Sequence, residues 1–269
     1  VFKESVEAVM KRKSGKGRSD IIEISRQIAE RLLEEERKRR APPSSVVYDE
    51  VEKEILETTY RFAVHELRRP SGSRPLFLEM EFGRGGDADP STRRGVEVAL
   101  ESGKSVFLKG TIDRVNRRGD GHYEIIDYKT GYSGGFQEGR PYAKGLHVQH
   151  AVYGVALERL LKDMSGYGEG RVKYSGYFFP SERGGGREVL YSFEDSEARS
   201  FIETLGEIVE RGTFIQLCDG SVKKRSNRCG LCEFSFICEL TGDPEGVSAK
   251  LEENGEGILS AVRKVLDYE

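Results

Sequence analysis

Apolar positions recur at helical spacing over residues 19–40. Ile21, Ile24, Ile28 and Leu32 share a face there, Ser19 is placed to cap the start, and the end is rich in Glu, Lys and Arg. Pro42-Pro43 stops that helix. A second helix, 46–69, carries a stripe of Val51, Ile55, Thr59 and Phe62 and is closed by Pro70-Ser71-Gly72-Ser73. The period then shortens to alternation. Strands are expected at 76–82, 95–100, 106–115 and 123–129, with turns at Ser102-Gly103-Lys104 and Gly119-Asp120-Gly121. Short turns between neighbours imply an antiparallel meander. A Gly-rich loop, 131–145, leads to a helix at 146–162, a strand at 172–179, a Gly184-Gly185-Gly186 turn and a strand at 187–192. The helix at 195–211 puts Phe201, Leu205 and Ile208 on one face, and a short amphipathic tail covers 256–267. There is no internal repeat.

This order describes an α/β (α+β) domain with one mixed central sheet flanked by helices. No Gly-x-Gly-x-x-Gly follows a strand, which excludes a Rossmann reading, and no Gly-x4-Gly-Lys-[Ser/Thr] is present, so the chain has no P-loop. Three segments are expected: an N-terminal helical segment (1–75) packed on the core, the core itself with a cysteine cluster (76–240), and a tail (241–269).

Composition narrows this only slightly. With 269 residues, 36% hydrophobic and 33% charged, the chain can bury a sizeable core under a charge-rich surface. The net charge is −3, so any basic surface must be local. The longest nearly apolar run, 151–157, is far too short to cross a bilayer, and the first residues contain no apolar signal core. No membrane association and a cytoplasmic location are therefore expected. The chain begins with Val rather than Met and is read as a piece of something longer.

The chemistry gathers in two strands. Gly110-Thr111-Ile112-Asp113-Arg114-Val115 is followed by Ile125-Ile126-Asp127-Tyr128-Lys129-Thr130-Gly131. Strand side chains alternate faces, so Asp127 and Lys129 project from one side, roughly 7 Å apart. Asp113 is expected on a face with Phe107 and Thr111, and a hairpin can bring it beside Asp127. Two carboxylates so close repel one another, and a hard cation such as Mg²⁺ or Mn²⁺ relieves the repulsion. Such an ion acidifies water, and a lysine beside it can orient that water or stabilise charge on phosphoryl oxygens. Ordinary ion pairs at strand ends would give a lone Asp-x-Lys the same appearance.

These two runs, followed by Gln149-His150-Ala151-Val152-Tyr153, resemble the RecB-type branch of the PD-(D/E)xK nuclease superfamily over residues 76–240. Gln149 and Tyr153, four apart, share a helix face and look like that branch's Gln-x3-Tyr motif. The resemblance implies a restriction-endonuclease-like core and metal-dependent hydrolysis of DNA. It makes Asp113 and Asp127 metal ligands, joined by the carbonyl of Tyr128. Lys129 becomes the catalytic lysine, with Gln149 and Tyr153 beside it. Family members usually add a His or Glu from an N-terminal helix, after a Gly-x-x-x-His pattern. That pattern is absent here. It is expected upstream of Val1, which would leave this piece able to fold yet weak in catalysis. His65, at the edge of its helix's apolar stripe, is read as a packing or exposed histidine.

All four cysteines lie between Cys218 and Cys238, a clustering that favours a metal or iron–sulfur site over a disulfide scaffold. Cys229-x2-Cys232-x5-Cys238 resembles the C-terminal cysteines of AddB-like and CRISPR-associated RecB-like nucleases. There, one upstream cysteine completes a structural [4Fe–4S] cluster. That fourth ligand is expected either upstream of Val1 or, in its place, at Cys218, and zinc with Cys218 is the alternative.

Arg114, Arg117, Arg118, Arg140, Lys144, Arg183 and Arg187 are placed near the strands and loops of the site, where they could meet phosphates without reading bases. A chain so rich in charge also scatters arginines without purpose. The resulting expectation is a Mg²⁺-dependent exonuclease-type domain acting in DNA end processing and recombinational repair, with a helicase domain or subunit as partner. The alternatives are a degenerate nuclease fold used for DNA binding or subunit docking, and a free-standing CRISPR-adaptation nuclease.

Overall fold

A computed structural model describes residues 1–11, 20–40, 44–69, 72–83, 95–99, 103–167, 170–212, 233, 257 and 260–269. Five strands form the central sheet in the order β1-β4-β5-β6-β7: β1 (Arg74–Phe82), β4 (Gly110–Arg117), β5 (Tyr123–Tyr128), β6 (Val172–Phe179) and β7 (Arg187–Ser192). β2 (Val96–Ala99) and β3 (Ser105–Leu108) pair separately as a two-stranded sheet. The helices are α1 (Phe2–Lys11), α2 (Ile21–Arg39), α3 (Ser45–Arg68), α4 (Gln149–Asp163), α5 (Asp195–Arg211) and α6 (Ser260–Asp267).

The sheet is mixed, as expected, and the antiparallel meander is corrected only in that β1 pairs with β4 across the separate β2–β3 hairpin. β1–β4, β4–β5 and β6–β7 are antiparallel, whereas β5 and β6 run parallel. A parallel pair needs a crossover, and α4 supplies it. Nearest-neighbour turn logic misses a strand that skips its sequence neighbours, as β1 does in pairing with β4.

The strand expected at 106–115 is two strands in two sheets, broken at Lys109. Gly110 explains the break. A Cβ there would stand 3.1 Å from the Phe82 ring and 3.3 Å from the Tyr153 ring, so only glycine lets strand and helix close so tightly. Phe107 therefore shares no face with Asp113; it is exposed on the separate hairpin.

Two apolar layers sandwich the sheet. One joins Phe82, Ile112, Val115, Ile125, Leu157 and Phe201, under α4 and α5. The other joins Val6, Ile21, Phe62, Ile126 and Phe178, under α1, α2 and α3. The stripe expected on α3 is shifted. Thr59 and Phe62 are buried with Thr58, Ala63 and Glu66, while Val51 is exposed. In α2, Ile21 and Ile24 are buried, and Ile28 and Leu32 are half-buried. The first helix expected begins at Ile21, after Asp20; Ser19 lies outside the described residues. α1 was not anticipated. It docks through Ser5 and Val6 and stacks Phe2 on Phe62 at 4.6 Å.

Candidate active site

The site is built where β4 and β5 part company. Their register runs from Arg117–Tyr123 to Arg114–Ile126. Beyond it the Asp113 carboxylate takes over, its Oδ2 accepting the Tyr128 N–H at 2.8 Å. A side chain thus continues the backbone ladder, which holds Asp113 against the peptide between Asp127 and Tyr128.

On the other side of β4, β1 has its own irregularity. Glu79 has φ +53°, a left-handed backbone that costs a non-glycine residue about 1–3 kcal/mol. Leu78 packs into the layer beneath α1 and α3, yet Met80, two residues on, packs into the layer beneath α4. The period of two fails at Glu79, so the strand changes faces beside Asp113.

Asp127 and Lys129 project together, as alternation requires. Asp127 Oδ2 lies 2.6 Å from Lys129 Nζ in ion-pair contact and is otherwise buried without a hydrogen-bond partner. Lys129 Nζ donates to Gln149 Oε1 at 2.6 Å, and Gln149 Nε2 donates to the Tyr153 hydroxyl at 3.3 Å. Gln149 opens α4 and Tyr153 follows one turn later, so one helix face delivers both. The ammonium also lies 5.8 Å from the centre of the Tyr177 ring. Asp113, Asp127, Lys129, Gln149 and Tyr153 thus meet at the C-terminal end of β5.

Burial pushes the Asp113 carboxyl above its ordinary value. The Tyr128 N–H and the Lys129 charge oppose that, and Glu79 adds repulsion. Burial likewise raises Asp127, against the pull of Lys129 and with repulsion from Asp113. Two buried oxygen donors that repel one another, one of them without a hydrogen-bond partner at Oδ2, suit a hard divalent cation. Among the described residues no three His, Cys, Asp or Glu side chains converge as a metal-binding group. Tyr128 borders the pair through its backbone, while its phenol is buried behind the sheet.

Arg114 departs from expectation. It is fully buried, donating to Glu66 at 2.8 and 2.9 Å, to Asn116 at 2.7 Å and to the Tyr128 hydroxyl at 3.1 Å. A residue so enclosed is out of a phosphate's reach. Glu66 also receives Arg69, which reaches Glu124 and Glu188 in turn. His65 stacks on Phe178 at 4.0 Å and faces Glu66 and Glu188, which fixes it as a packing histidine. Arg118 pairs with Glu124 and Arg140 with Glu269. Arg117, Lys144 and Arg183 are exposed, and Arg187 is half-buried.

Sequence reasoning missed Lys3 and Glu79, which α1 brings together at 2.7 Å beside Asp113. The spacing of Phe2, Ser5 and Val6 was the available signal. Cys218, Cys229, Cys232 and Cys238 lie outside the described residues.

Comparison with known proteins places this geometry. A model of the PD-(D/E)XK nuclease superfamily matches residues 3–239. The chain is 32% identical over 153 residues to an ATP-dependent helicase/deoxyribonuclease subunit from Geobacillus kaustophilus, a match covering 52% of this chain and 12% of that protein. The protein of the same name from Geobacillus thermodenitrificans is 30% identical over 151 residues, with the same coverage of each chain. That of Alkaliphilus oremlandii is 36% identical over 108 residues, 39% of this chain and 9% of the relative. The matches thus span about an eighth or less of the relatives' length.

Proposed function

The chain belongs to the PD-(D/E)XK nuclease superfamily, and from that premise we propose that it is a metal-dependent deoxyribonuclease domain hydrolysing the phosphodiester backbone at Asp113, Asp127 and Lys129. The restriction-endonuclease-like arrangement, a mixed five-stranded sheet flanked by helices, agrees with that membership. The observation that carries the reading is the Lys129 ammonium, held at 2.6 Å by both the Asp127 carboxylate and the Gln149 carbonyl.

Asp113 and Asp127 would hold the metal, with the Tyr128 carbonyl next to them. Mg²⁺ or Mn²⁺ there supplies positive charge to phosphoryl oxygens and makes neighbouring water more acidic. Lys129 donates to the attacking water or to the phosphoryl oxygen on which charge develops. Gln149 aims that ammonium by accepting a hydrogen bond from it, and Tyr153 is within hydrogen-bonding distance of the Gln149 amide. Each group is preorganised, so little rearrangement is needed at the moment of reaction.

The relatives' names support DNA as substrate and an ATP-dependent helicase as partner, and the family resemblance adds end processing in recombinational repair. The cysteines are proposed to hold a structural [4Fe–4S] cluster, or zinc, which iron and zinc analysis of the purified chain would distinguish. The test of catalysis is cleavage of end-labelled DNA in Mg²⁺ or Mn²⁺, with EDTA and Lys129→Ala as controls. Loss of one such donor is expected to lower the rate about 10²–10³-fold. Wild-type cleavage no faster than that of Lys129→Ala would overturn the reading.

A further inference from the structure

The loop between β5 and α4 is tied shut at the site, because Lys129 at one end bonds Gln149 at the other. Each end carries a large apolar side chain in the open, three residues from the tie: Tyr132 at 75% exposure and Leu146 at 52%. Among the described residues eight large hydrophobic side chains are exposed, and these two lie within the loop that Lys129 and Gln149 close.

The loop is built to hold its shape. Phe136 stacks on His147 at 4.0 Å with their planes 1° apart, and it packs against Tyr177 and Phe179. Backbone bonds join Phe136 to Ser133, and Gly145 and His147 to Tyr142. The Tyr132 ring lies across the backbone of Gly134, where a Cβ would stand 2.3 Å from Cε1, 2.4 Å from Cζ and 2.5 Å from the hydroxyl oxygen. Glycine at 134 thus lets the ring lie down on the loop, with most of its surface facing solvent. The same loop carries exposed Lys144, exposed Glu138 and Arg140 paired with Glu269, so its charges nearly balance.

We infer that Tyr132, supported by Gly134, is a stacking platform for a nucleobase of an unpaired DNA strand entering the site. A fixed aromatic face beside a phosphate-cleaving centre offers stacking without base-specific hydrogen bonds. Bases within a duplex have their faces covered by their neighbours. Only a strand freed from pairing can present one to Tyr132. This rests on the nuclease reading and names the substrate form for it.

The test is fluorescence-anisotropy binding of the 269-residue chain, in EDTA to prevent cleavage, to three probes: a labelled single strand, a hairpin-closed duplex, and a single strand with abasic sites. Wild type should prefer the ordinary single strand. Tyr132→Ala should weaken that binding at least about fivefold while leaving the abasic strand and the duplex unchanged. Tyr132→Trp should retain it, and Gly134→Ala should mimic the loss by lifting the ring. Equal melting temperatures would exclude unfolding as the cause. Ordinary-strand binding unaltered in Tyr132→Ala, or weakened equally for the abasic strand, would overturn the platform. Metal-dependent cleavage with unaltered Tyr132→Ala binding overturns the platform alone. The stacking signature without any cleavage by wild type overturns the nuclease reading alone.

Discussion

Asp127 meets two opposed requirements. In the proposed reading it would have to be ionised to hold a cation, yet burial raises its carboxyl above the ordinary value of 3.8, as it does for Asp113. A carboxyl raised on folding binds its proton more tightly in the folded state. Its contribution to stability is therefore complete below the unfolded pKa and lost as pH rises through the raised folded value. At neutral pH the ionised pair thus works against the fold. Asp127→Asn should abolish cleavage and, in EDTA, raise the melting temperature at pH 7. That gain should shrink as pH falls toward 4. A melting temperature unchanged or lowered at pH 7 would contradict this account. Glu79 is a second residue shaped by the site: its left-handed backbone is a strain no strand needs for its own sake. Glu79→Val, β-branched at φ +53°, is expected to destabilise the chain by about 1–2 kcal/mol beyond Glu79→Gly in urea unfolding. Equal stability of the two variants would show that the backbone relaxes.

Between elements, the determining feature is the buried charge network joining α3, β4, β5 and β7. Burial works to raise the Glu66 carboxyl, but Arg114, His65 and Arg69 outweigh it and hold the group far below its ordinary range. A carboxyl depressed on folding contributes stability above its unfolded pKa, near 4.5, and loses it as pH falls through the folded value. Acid unfolding should therefore respond to this residue. Glu66→Gln is expected to cost about 3–5 kcal/mol at pH 7, because Arg114 would remain buried without its carboxylate partner, while Arg69 keeps Glu124 and Glu188. Its deficit should shrink below pH 4 in circular dichroism. A loss under 1 kcal/mol would mean that solvent reaches the arginines. The Asp-x-Lys strand and the Gln-x3-Tyr helix were legible because alternation and the four-residue helical period depend only on local spacing. The pairing of Arg114 with Glu66, 48 residues apart, was not. Nothing local distinguishes an arginine that will be buried from one that will meet DNA.

For the whole molecule, the sheet's membership was legible and its topology only partly so. Residues 123–129 and 172–179 both read as strands, but the direction of one against the other depends on where α4 folds back. Alternation also could not reveal that β3 leaves the main sheet at Lys109, since a period of two continues unbroken through that residue. The carboxylate pair predicts a whole-chain response to metal. Mg²⁺ or Mn²⁺ binding to the folded state alone should raise the melting temperature in proportion to the logarithm of free metal concentration, and Asp113→Asn should remove the rise. A rise that persists in the variant would locate the binding elsewhere. The network behind the sheet has one more consequence, for handling the protein in salt. Attraction between a surface and a DNA backbone is screened within about 8–10 Å at ordinary ionic strengths, whereas enclosed pairs such as Arg114–Glu66 are shielded from mobile ions. There should accordingly be a range of salt in which this domain releases a bound strand while its own fold is undisturbed. Attachment and integrity would then be controlled by separate sets of charges on opposite sides of a single sheet.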